Sequence, residues 1–185
     1  MRVYHTGFQA LPQPDVRHGR RNADFGQGFY LTANEAFAGK WARERKGEAI
    51  HINAYDLDLE GLTVKRFERG GEWFDYLLAN RTRQPDALAN YDVILGPIAN
   101  DTLYDTFGII TSGFLPRDQA LSLLMLGPAY EQIVLKTEKA AAQLRWLSVR
   151  VPEKAEIAAF RDAVRREEEA YQALFAQKLQ DFSEE

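Results

Sequence analysis

The chain has no cysteine, so it can form neither a disulfide framework nor a zinc site built on thiolates. Histidine is scarce as well: His5, His18 and His51 are the three in the chain, and they lack ligand spacings such as H-x-x-x-H. No serine lies on a G-x-S-x-G elbow. We therefore expect no resident metal and no hydrolysis through a cysteine or serine nucleophile.

Long apolar runs and an excess of positive charge are also missing. The N-terminal segment has no apolar signal-peptide core, and no stretch approaches the roughly 18 consecutive apolar residues of a membrane span. The net charge is −4, which gives no overall basic field for nucleic acid, although a local basic groove stays open. We expect a soluble protein that does not act at a membrane, and that is cytoplasmic or secreted by a route without a signal peptide.

The chain has enough apolar material for one folded unit, since 45% of its 185 residues are hydrophobic and 12% are aromatic. Strand and helix patterns are mixed without regular alternation, which favours the α+β class. The expected strands cover residues 2–5, 29–32, 49–58, 91–95, 130–137 and 144–151, with a long irregular loop before the second.

The expected helices follow polar caps. Asn34 is expected to cap a helix over 35–47 that carries Trp41 on its apolar face, and Asn100 or Asp101 to cap a helix toward Phe107. Two more helices are expected over 71–81 and 115–126.

One long helix is predicted over 152–185, beyond a first domain of residues 1–151. It carries an apolar stripe that must be covered by the domain or by another chain, so the helix is docked or used in assembly. The stripe consists of Ile157, Phe160, Val164, Tyr171, Leu174, Phe175, Leu179 and Phe182.

The stretch "DFGQGFYLT", residues 24–32, places two glycines directly before an aromatic strand. Gly26 and Gly28 suit a turn or bulge with positive φ, and the following residues have strand bias. Taken alone, a G-x-G of this kind is weak evidence for a nucleotide site.

The ordered set "YHTG", "DFGQGFYLT", "KWA", "GPIAND" and "QIVLKT" resembles the ADP-ribosyltransferase superfamily. The resemblance is to its His-Tyr-Glu branch, which includes diphtheria toxin and the poly(ADP-ribose) polymerases, and within it to a bacterial family of unknown function. It covers about residues 1–147. It implies two packed antiparallel sheets around an NAD cleft and transfer of ADP-ribose from NAD to a protein or nucleic-acid acceptor, with release of nicotinamide.

Two other functions stay open under the same resemblance. One is hydrolysis of NAD with water as the acceptor, and the other is a degenerate module that binds NAD or a partner without catalysis. Bacterial relatives include toxins with cognate antitoxins, so a toxin role and an antitoxin partner are also open.

The resemblance also assigns site residues. His5 would donate a hydrogen bond to a ribose hydroxyl of NAD, and Gly7 would lie where main-chain groups meet the nicotinamide carboxamide. Thr6, between them, would also contact NAD. Tyr30 and Trp41 would flank the nicotinamide ring, since a cationic planar ring is well held between aromatic faces.

Three further residues complete the expected NAD contacts. Gly28 and Phe29 would lie beside the ring, where glycine lets the backbone approach a ligand. Arg21 would meet the pyrophosphate, although a solvated charge in the long loop is as good an interpretation.

Two residues compete for the position of the catalytic glutamate, Glu131 and Gln132, which alternate along one strand and point to opposite faces, so only one of them can enter the site. Glu131 is favoured because a carboxylate stabilises the positive charge that develops on the ribose. Gln132 could hold a hydroxyl without supplying a full charge.

Overall fold

The structure is a computed structural model that describes residues 1–42, 44–100 and 113–184. The strands within this part are β1 (Arg2–Gly7), β2 (Phe29–Leu31), β3 (His51–Leu57), β4 (Val64–Arg66), β5 (Val93–Pro97), β6 (Glu131–Leu135) and β7 (Leu144–Arg150). The helices are α1 (Glu35–Lys40), α2 (Gly71–Arg81), α3 (Arg117–Leu124), α4 (Glu138–Ala142) and α5 (Lys154–Glu184).

The strands form two open sheets, which confirms the α+β class. The first sheet has the order β1-β3-β7 and is antiparallel throughout. The second has the order β2-β6-β5-β4, and its β4–β5 pair is parallel. The expectation of two purely antiparallel sheets is therefore wrong for the second one. The parallel pair forms because α2 supplies the long crossover that parallel neighbours need.

The two sheets meet where β1 passes the end of β2. The main-chain N–H of Tyr4 donates to the carbonyl of Thr32 at 2.8 Å, and the N–H of Thr32 donates back at 3.0 Å. This isolated bridge holds the "YHTG" and "DFGQGFYLT" segments side by side.

The main core lies between the sheets and follows the alternation of the strands. Phe29 and Leu31 of β2, with Ile133 and Leu135 of β6, point toward the first sheet and belong to one cluster with its buried Tyr55, whose ring Phe29 meets edge-on. Neighbouring residues on these strands point the other way, so both faces of the second sheet are covered.

A second cluster covers the outer face of the second sheet. Trp73 of α2, Leu123 of α3 and Val134 of β6 pack with Tyr171 and Phe175 of α5, which are only 1% and 5% exposed. The same chain thus buries Tyr171 and Phe175 of the stripe and partly covers its other members, except Leu174, which is 45% exposed. Whether residues 152–185 form a separate unit stays a prediction.

The ends of several elements differ from expectation. Asn34 caps α1 as predicted, accepting from the Phe37 N–H at 3.0 Å, but the helix ends at Lys40. The main-chain N–H groups of Trp41 and Ala42 bond three residues back, to the carbonyls of Ala38 and Gly39, as in the tightened last turn of a helix. The helix expected from Asn100 or Asp101 toward Phe107 lies outside the described residues.

Two short elements, β4 and α4, were not predicted. Thr137 caps α4 by accepting from the Ala140 N–H at 3.2 Å. In the described part of the chain, no helix combines the length and apolar character that crossing a membrane requires.

Candidate functional site

His5 lies near the end of β1, against the first residues of β2. Its Nδ1 is 2.8 Å from the main-chain oxygen of Tyr30, and its ring stacks on Phe29 with 4.3 Å between centroids. Burial lowers the pKa of His5, and the hydrogen bond to the Tyr30 carbonyl only partly opposes this. The ring is therefore neutral at neutral pH.

The hydrogen-bonding role of the second ring nitrogen follows from this contact. A carbonyl oxygen can only accept, so Nδ1 of His5 carries the proton and Nε2 carries a lone pair. The expectation that His5 donates to a ribose hydroxyl is therefore corrected, since a neutral His5 can only accept through Nε2. A Cβ atom added at Gly7 would lie 3.3 Å from this Nε2, so glycine at that position keeps a side chain away from the nitrogen.

Thr6 points to the opposite side of β1 from His5. Its hydroxyl donates to the main-chain oxygen of Ala38 in α1 at 2.6 Å. Its side chain therefore anchors α1 to β1, and a contact with NAD would have to come from its main chain.

Tyr30 packs on the outer face of the second sheet, opposite to Phe29. Its hydroxyl donates to the Gly26 carbonyl at 2.7 Å and accepts from the Phe25 N–H at 3.1 Å. Burial and the neighbouring Asp24 raise the pKa of Tyr30 well above its ordinary value. The hydroxyl is thus committed to the turn, and only the ring can contact a ligand.

The two glycines of the turn let the chain approach itself. A Cβ at Gly28 would lie 2.5 Å from Cγ1 of Val134 on β6, and one at Gly26 would lie 2.7 Å from Oδ2 of Asp86. Gly26 also has a φ of +71°. Protein atoms therefore fill the space that a Cβ atom would take at both glycines, and a contact between the main chain of Gly28 and NAD stays a prediction.

A buried polar network holds the turn that precedes β2. Arg81 pairs with Asp24, with its Nη2 2.8 Å from Oδ1, and both side chains are almost completely buried. Lys136 donates to the Phe25 carbonyl and to Asp86, both at 2.6 Å. The sequence interpretation missed these partners, although a lysine that ends the apolar strand "QIVLK" was a usable signal.

Glu131 and Gln132 have opposite environments at the start of β6. Glu131 is exposed, whereas Gln132 is 3% exposed and its Nε2 lies 3.4 Å from the Pro97 carbonyl. Alternation places Glu131 on the face of Ile133 and Gln132 on the face of Val134, which Tyr30 shares. Glu131 and Gln132 therefore lie on different sides of the second sheet.

Trp41 caps the C-terminal end of α1 and is partly exposed. Its ring meets Phe37 edge-on with 5.1 Å between centroids, and Phe37 stacks on Tyr130 at 4.1 Å. Tyr130 directly precedes Glu131, so this row of three rings connects α1 to the start of β6.

An open groove of about 300 Å³ lies at the same end of the second sheet. Phe37 and Tyr130 form its aromatic wall, and Thr32, Asn34 and Glu131 supply polar groups. The Thr32 hydroxyl donates to the Glu131 carbonyl at 3.1 Å, so β2 holds the main chain at the candidate carboxylate.

Two side chains hold the loop before Tyr130: Arg69, which is partly buried, and Asn100, which is fully buried. Arg69 donates to the carbonyls of Leu124, Leu126 and Gly127 at 2.8–3.1 Å. Asn100 donates to the carbonyls of Leu126 and Pro128 at 2.7 and 2.9 Å. The side-chain amide of Asn100, in the "GPIAND" segment, thus fixes the loop that leads into β6. The interpretation of Asn100 as a helix cap did not include this role.

Arg21 lies exposed in the long loop before β2. Within the described ranges no carboxylate pairs with it, so its expected contact with a pyrophosphate stays a prediction. Gln27 stabilises the loop by donating to the carbonyls of Arg17 and Gly19 at 2.5 and 3.0 Å.

The segments that carry the candidate site lie within one region that matches a known protein family. A comparison with curated proteins finds no match. A family model described as "Protein of unknown function (DUF3990)" matches residues 1–146, which include every candidate site residue named above. The chain therefore belongs to the DUF3990 family.

Proposed function

We propose that this chain is an NAD-dependent mono-ADP-ribosyltransferase with an ADP-ribosyltransferase-like fold. It would move ADP-ribose from NAD to a macromolecular acceptor and release nicotinamide. The observation that carries the proposal is the contact between His5 Nδ1 and the Tyr30 carbonyl, which directs an unprotonated Nε2 toward the space beside Gly7.

Direct contacts link the segments that carry the proposed site. His5 contacts Tyr30, Thr6 anchors α1, and Thr32 contacts the main chain of Glu131. Segments distant in sequence therefore meet around one end of the second sheet, as a substrate cleft requires.

The chain's own groups can supply two parts of the reaction. Nε2 of His5 accepts a hydrogen bond from a ribose hydroxyl, which orients the sugar. Glu131 supplies a negative charge near the sugar carbon as its bond to the nicotinamide nitrogen breaks and the bonding electrons leave with nicotinamide. The acceptor then forms the new bond to that carbon and loses its proton.

The side chain of Trp41 offers the nicotinamide ring an aromatic surface. Tyr30 can offer a ring surface only, because its hydroxyl is bound within the turn.

A second candidate is supported by one specific observation. Tyr30 and Gln132 share a face of the second sheet, and Glu131 lies on the other. A site built on the first face would hold NAD without a carboxylate, as a binding module does. Gln132 is deeply buried, which favours Glu131 as the residue that meets substrate.

The test is a nicotinamide-release assay with and without cell lysate, together with transfer of labelled ADP-ribose. Under the proposal Glu131→Gln binds NAD nearly normally but releases nicotinamide at least about 100-fold more slowly, the loss typical of a transition-state contact. Glu138→Gln, at an exposed carboxylate in α4, is the matched control.

Each outcome distinguishes the candidates. Release without lysate and without labelled acceptor indicates an NAD glycohydrolase. Binding without release by the wild-type chain indicates the binding module. Full activity in Glu131→Gln contradicts the assignment of the carboxylate.

Separate experiments identify the acceptor and test the toxin role. Mass spectrometry of modified lysate identifies the acceptor, protein or nucleic acid. Growth arrest of cells that express this chain would support the toxin role. Recovery of growth on co-expression of a protein encoded beside it would support a cognate antitoxin.

A further inference from the structure

The C-terminal helix contacts the candidate site through Glu167, which meets the side chains of Lys40 and Tyr130. We call these three residues the Lys40 cluster. The Nζ of Lys40 donates to the Tyr130 hydroxyl at 2.7 Å and forms an ion pair with Glu167. The Tyr130 hydroxyl donates to Oε2 of Glu167 at 2.9 Å. Each member therefore contacts the other two.

The positions of these residues along the chain give the cluster its importance. Lys40 is the last residue of α1 and directly precedes Trp41, and Tyr130 directly precedes Glu131. Glu167 lies in α5, outside the matched family region of residues 1–146. The carboxylate of Glu167 thus binds Lys40 and Tyr130, the residues that directly precede Trp41 and Glu131.

The cluster is sheltered from solvent, with exposures of 16% for the side chain of Lys40 and 30% for that of Glu167. Burial alone would lower the pKa of Lys40, but its hydrogen bonds to Glu167 and Tyr130 outweigh burial and raise it. The ammonium group therefore stays charged at neutral pH, and the ion pair is less screened than one on the surface.

An apolar contact seats α5 beside the cluster. Phe160 packs directly over Gly39, where a Cβ atom would lie 2.4 Å from the ring carbon Cζ. Farther along α5, Tyr171 and Phe175 are buried in the core. Separation of α5 from the rest of the chain would therefore expose these rings to solvent.

We infer that Glu167 is a positioning residue for the proposed transfer, holding Trp41 and Glu131 at a fixed separation through Lys40 and Tyr130. This inference rests on the proposed function. Loss of the carboxylate leaves Lys40 and Tyr130 without their common partner, so the end of α1 and the start of β6 are free to shift relative to each other. Misplacement of substrate by about 1 Å can cost a reaction up to about 100-fold in rate.

The first measurement needs no NAD. Acrylamide quenching of tryptophan fluorescence is compared for the wild type, Glu167→Gln and Glu169→Gln, each with Trp41 present and with Trp41→Phe. Glu169 is an exposed glutamate of the same helix, so its variant controls for the change of charge. We expect Glu167→Gln alone to increase quenching, and the increase to disappear in the Trp41→Phe background.

The second measurement is nicotinamide release over a range of NAD concentrations. Glu167→Gln is expected to lower kcat by about 10- to 100-fold with a smaller change in KM, because positioning matters most at the transition state. Glu167→Asp, which keeps the charge, should recover part of the loss, and Glu169→Gln should match the wild type.

Some results would overturn the inference. Quenching that is equal in Glu167→Gln and Glu169→Gln shows that Glu167 does not fix Trp41. Release by Glu167→Gln that equals or exceeds the wild type removes Glu167 from positioning. A wild-type chain that neither binds NAD nor releases nicotinamide contradicts the proposed function instead, and the quenching result then still decides whether Glu167 fixes Trp41.

Discussion

Nδ1 of His5 lies 2.8 Å from the main-chain oxygen of Tyr30, and this contact joins the two segments that were expected to hold NAD. It selects one protonation state of the imidazole, because a carbonyl only accepts a hydrogen bond. It also leaves Nε2 as an acceptor. The role of His5 in the proposed site is therefore set by a main-chain atom 25 residues away in sequence.

The lowered pKa of His5 predicts a pH dependence of stability. The unfolded chain takes up a proton below about pH 6.5, whereas folded His5 does so only at lower pH. The stabilising contribution of neutral His5 is thus present above about pH 6.5 and is lost as the pH falls toward the folded pKa, with a slope of at most about 1.4 kcal/mol per pH unit.

The measurement is urea unfolding at pH 7.5 and 5.5. His5→Gln should lose less free energy of unfolding between the two pH values than the wild type does. His18→Gln, at an exposed histidine, should keep the wild-type difference. Equal pH dependence in all three chains would contradict the assignment to His5.

Variants of Tyr30 should separate its hydroxyl from its ring. Tyr30→Phe leaves the Gly26 carbonyl and the Phe25 N–H without their partner, so we expect a loss of about 1–3 kcal/mol in the free energy of unfolding. The ring remains, so calorimetric titration should show NAD affinity close to that of the wild type.

Tyr30→Ala removes the ring as well and should abolish NAD binding. Because Tyr30 packs against the outer core cluster, this variant should also be less stable than Tyr30→Phe. If folded Tyr30→Ala binds NAD as tightly as the wild type, the ring does not contact the ligand.

The buried pair of Asp24 and Arg81 should be more sensitive to substitution than an ion pair at the surface. Arg81→Met leaves the carboxylate of Asp24 buried without its partner, which typically costs about 3–5 kcal/mol. The double variant Asp24→Asn/Arg81→Met should cost less, since no uncompensated charge remains.

Urea unfolding measures both variants, with Arg117→Met as the control. Arg117 pairs with Asp75 at the surface, where solvent screens the pair, so its loss should cost much less than the loss of Arg81. A loss in Arg81→Met that is as small as in the control would show that the pair does not support the turn.

The C-terminal helix should be required for a stable domain. Phe175→Ala removes a buried ring and should cost about 3–5 kcal/mol, whereas Leu174→Ala changes a side chain that is 45% exposed and should cost far less. Truncation after Val151 should expose the core that Tyr171 and Phe175 cover, and cause aggregation.

Thermal melting and size-exclusion chromatography decide this prediction. A truncated chain that stays monomeric and melts at the temperature of the parent would show that the helix is an independent appendage. Equal melting temperatures for Phe175→Ala and Leu174→Ala would contradict the observed burial.

The sequence determined the local structure wherever the signal is local. The alternation in "EQIVL" predicted the two faces of β6, and Asn34 predicted the start of α1, because strand periodicity and helix caps depend only on nearby residues. The order of the short segments predicted a resemblance to a family of unknown function over about residues 1–147, and the matched family of unknown function, over residues 1–146, is compatible with that part of the prediction. The end of α1 was missed, since the turn after Lys40 outweighs the helical pattern that continues beyond it.

Tertiary structure decided everything that depends on which distant segments meet. The parallel pairing of β4 with β5, the burial of Gln132 against the exposure of Glu131, and the filling of the space at Gly28 by Val134 all follow from how the sheets and helices pack. The protonation of His5 depends on the Tyr30 carbonyl, and the Lys40 cluster depends on a helix that begins more than a hundred residues after α1. A sequence pattern carries the periodicity of one element, but burial, close approach and hydrogen bonding belong to pairs of elements and exist only once the chain has folded.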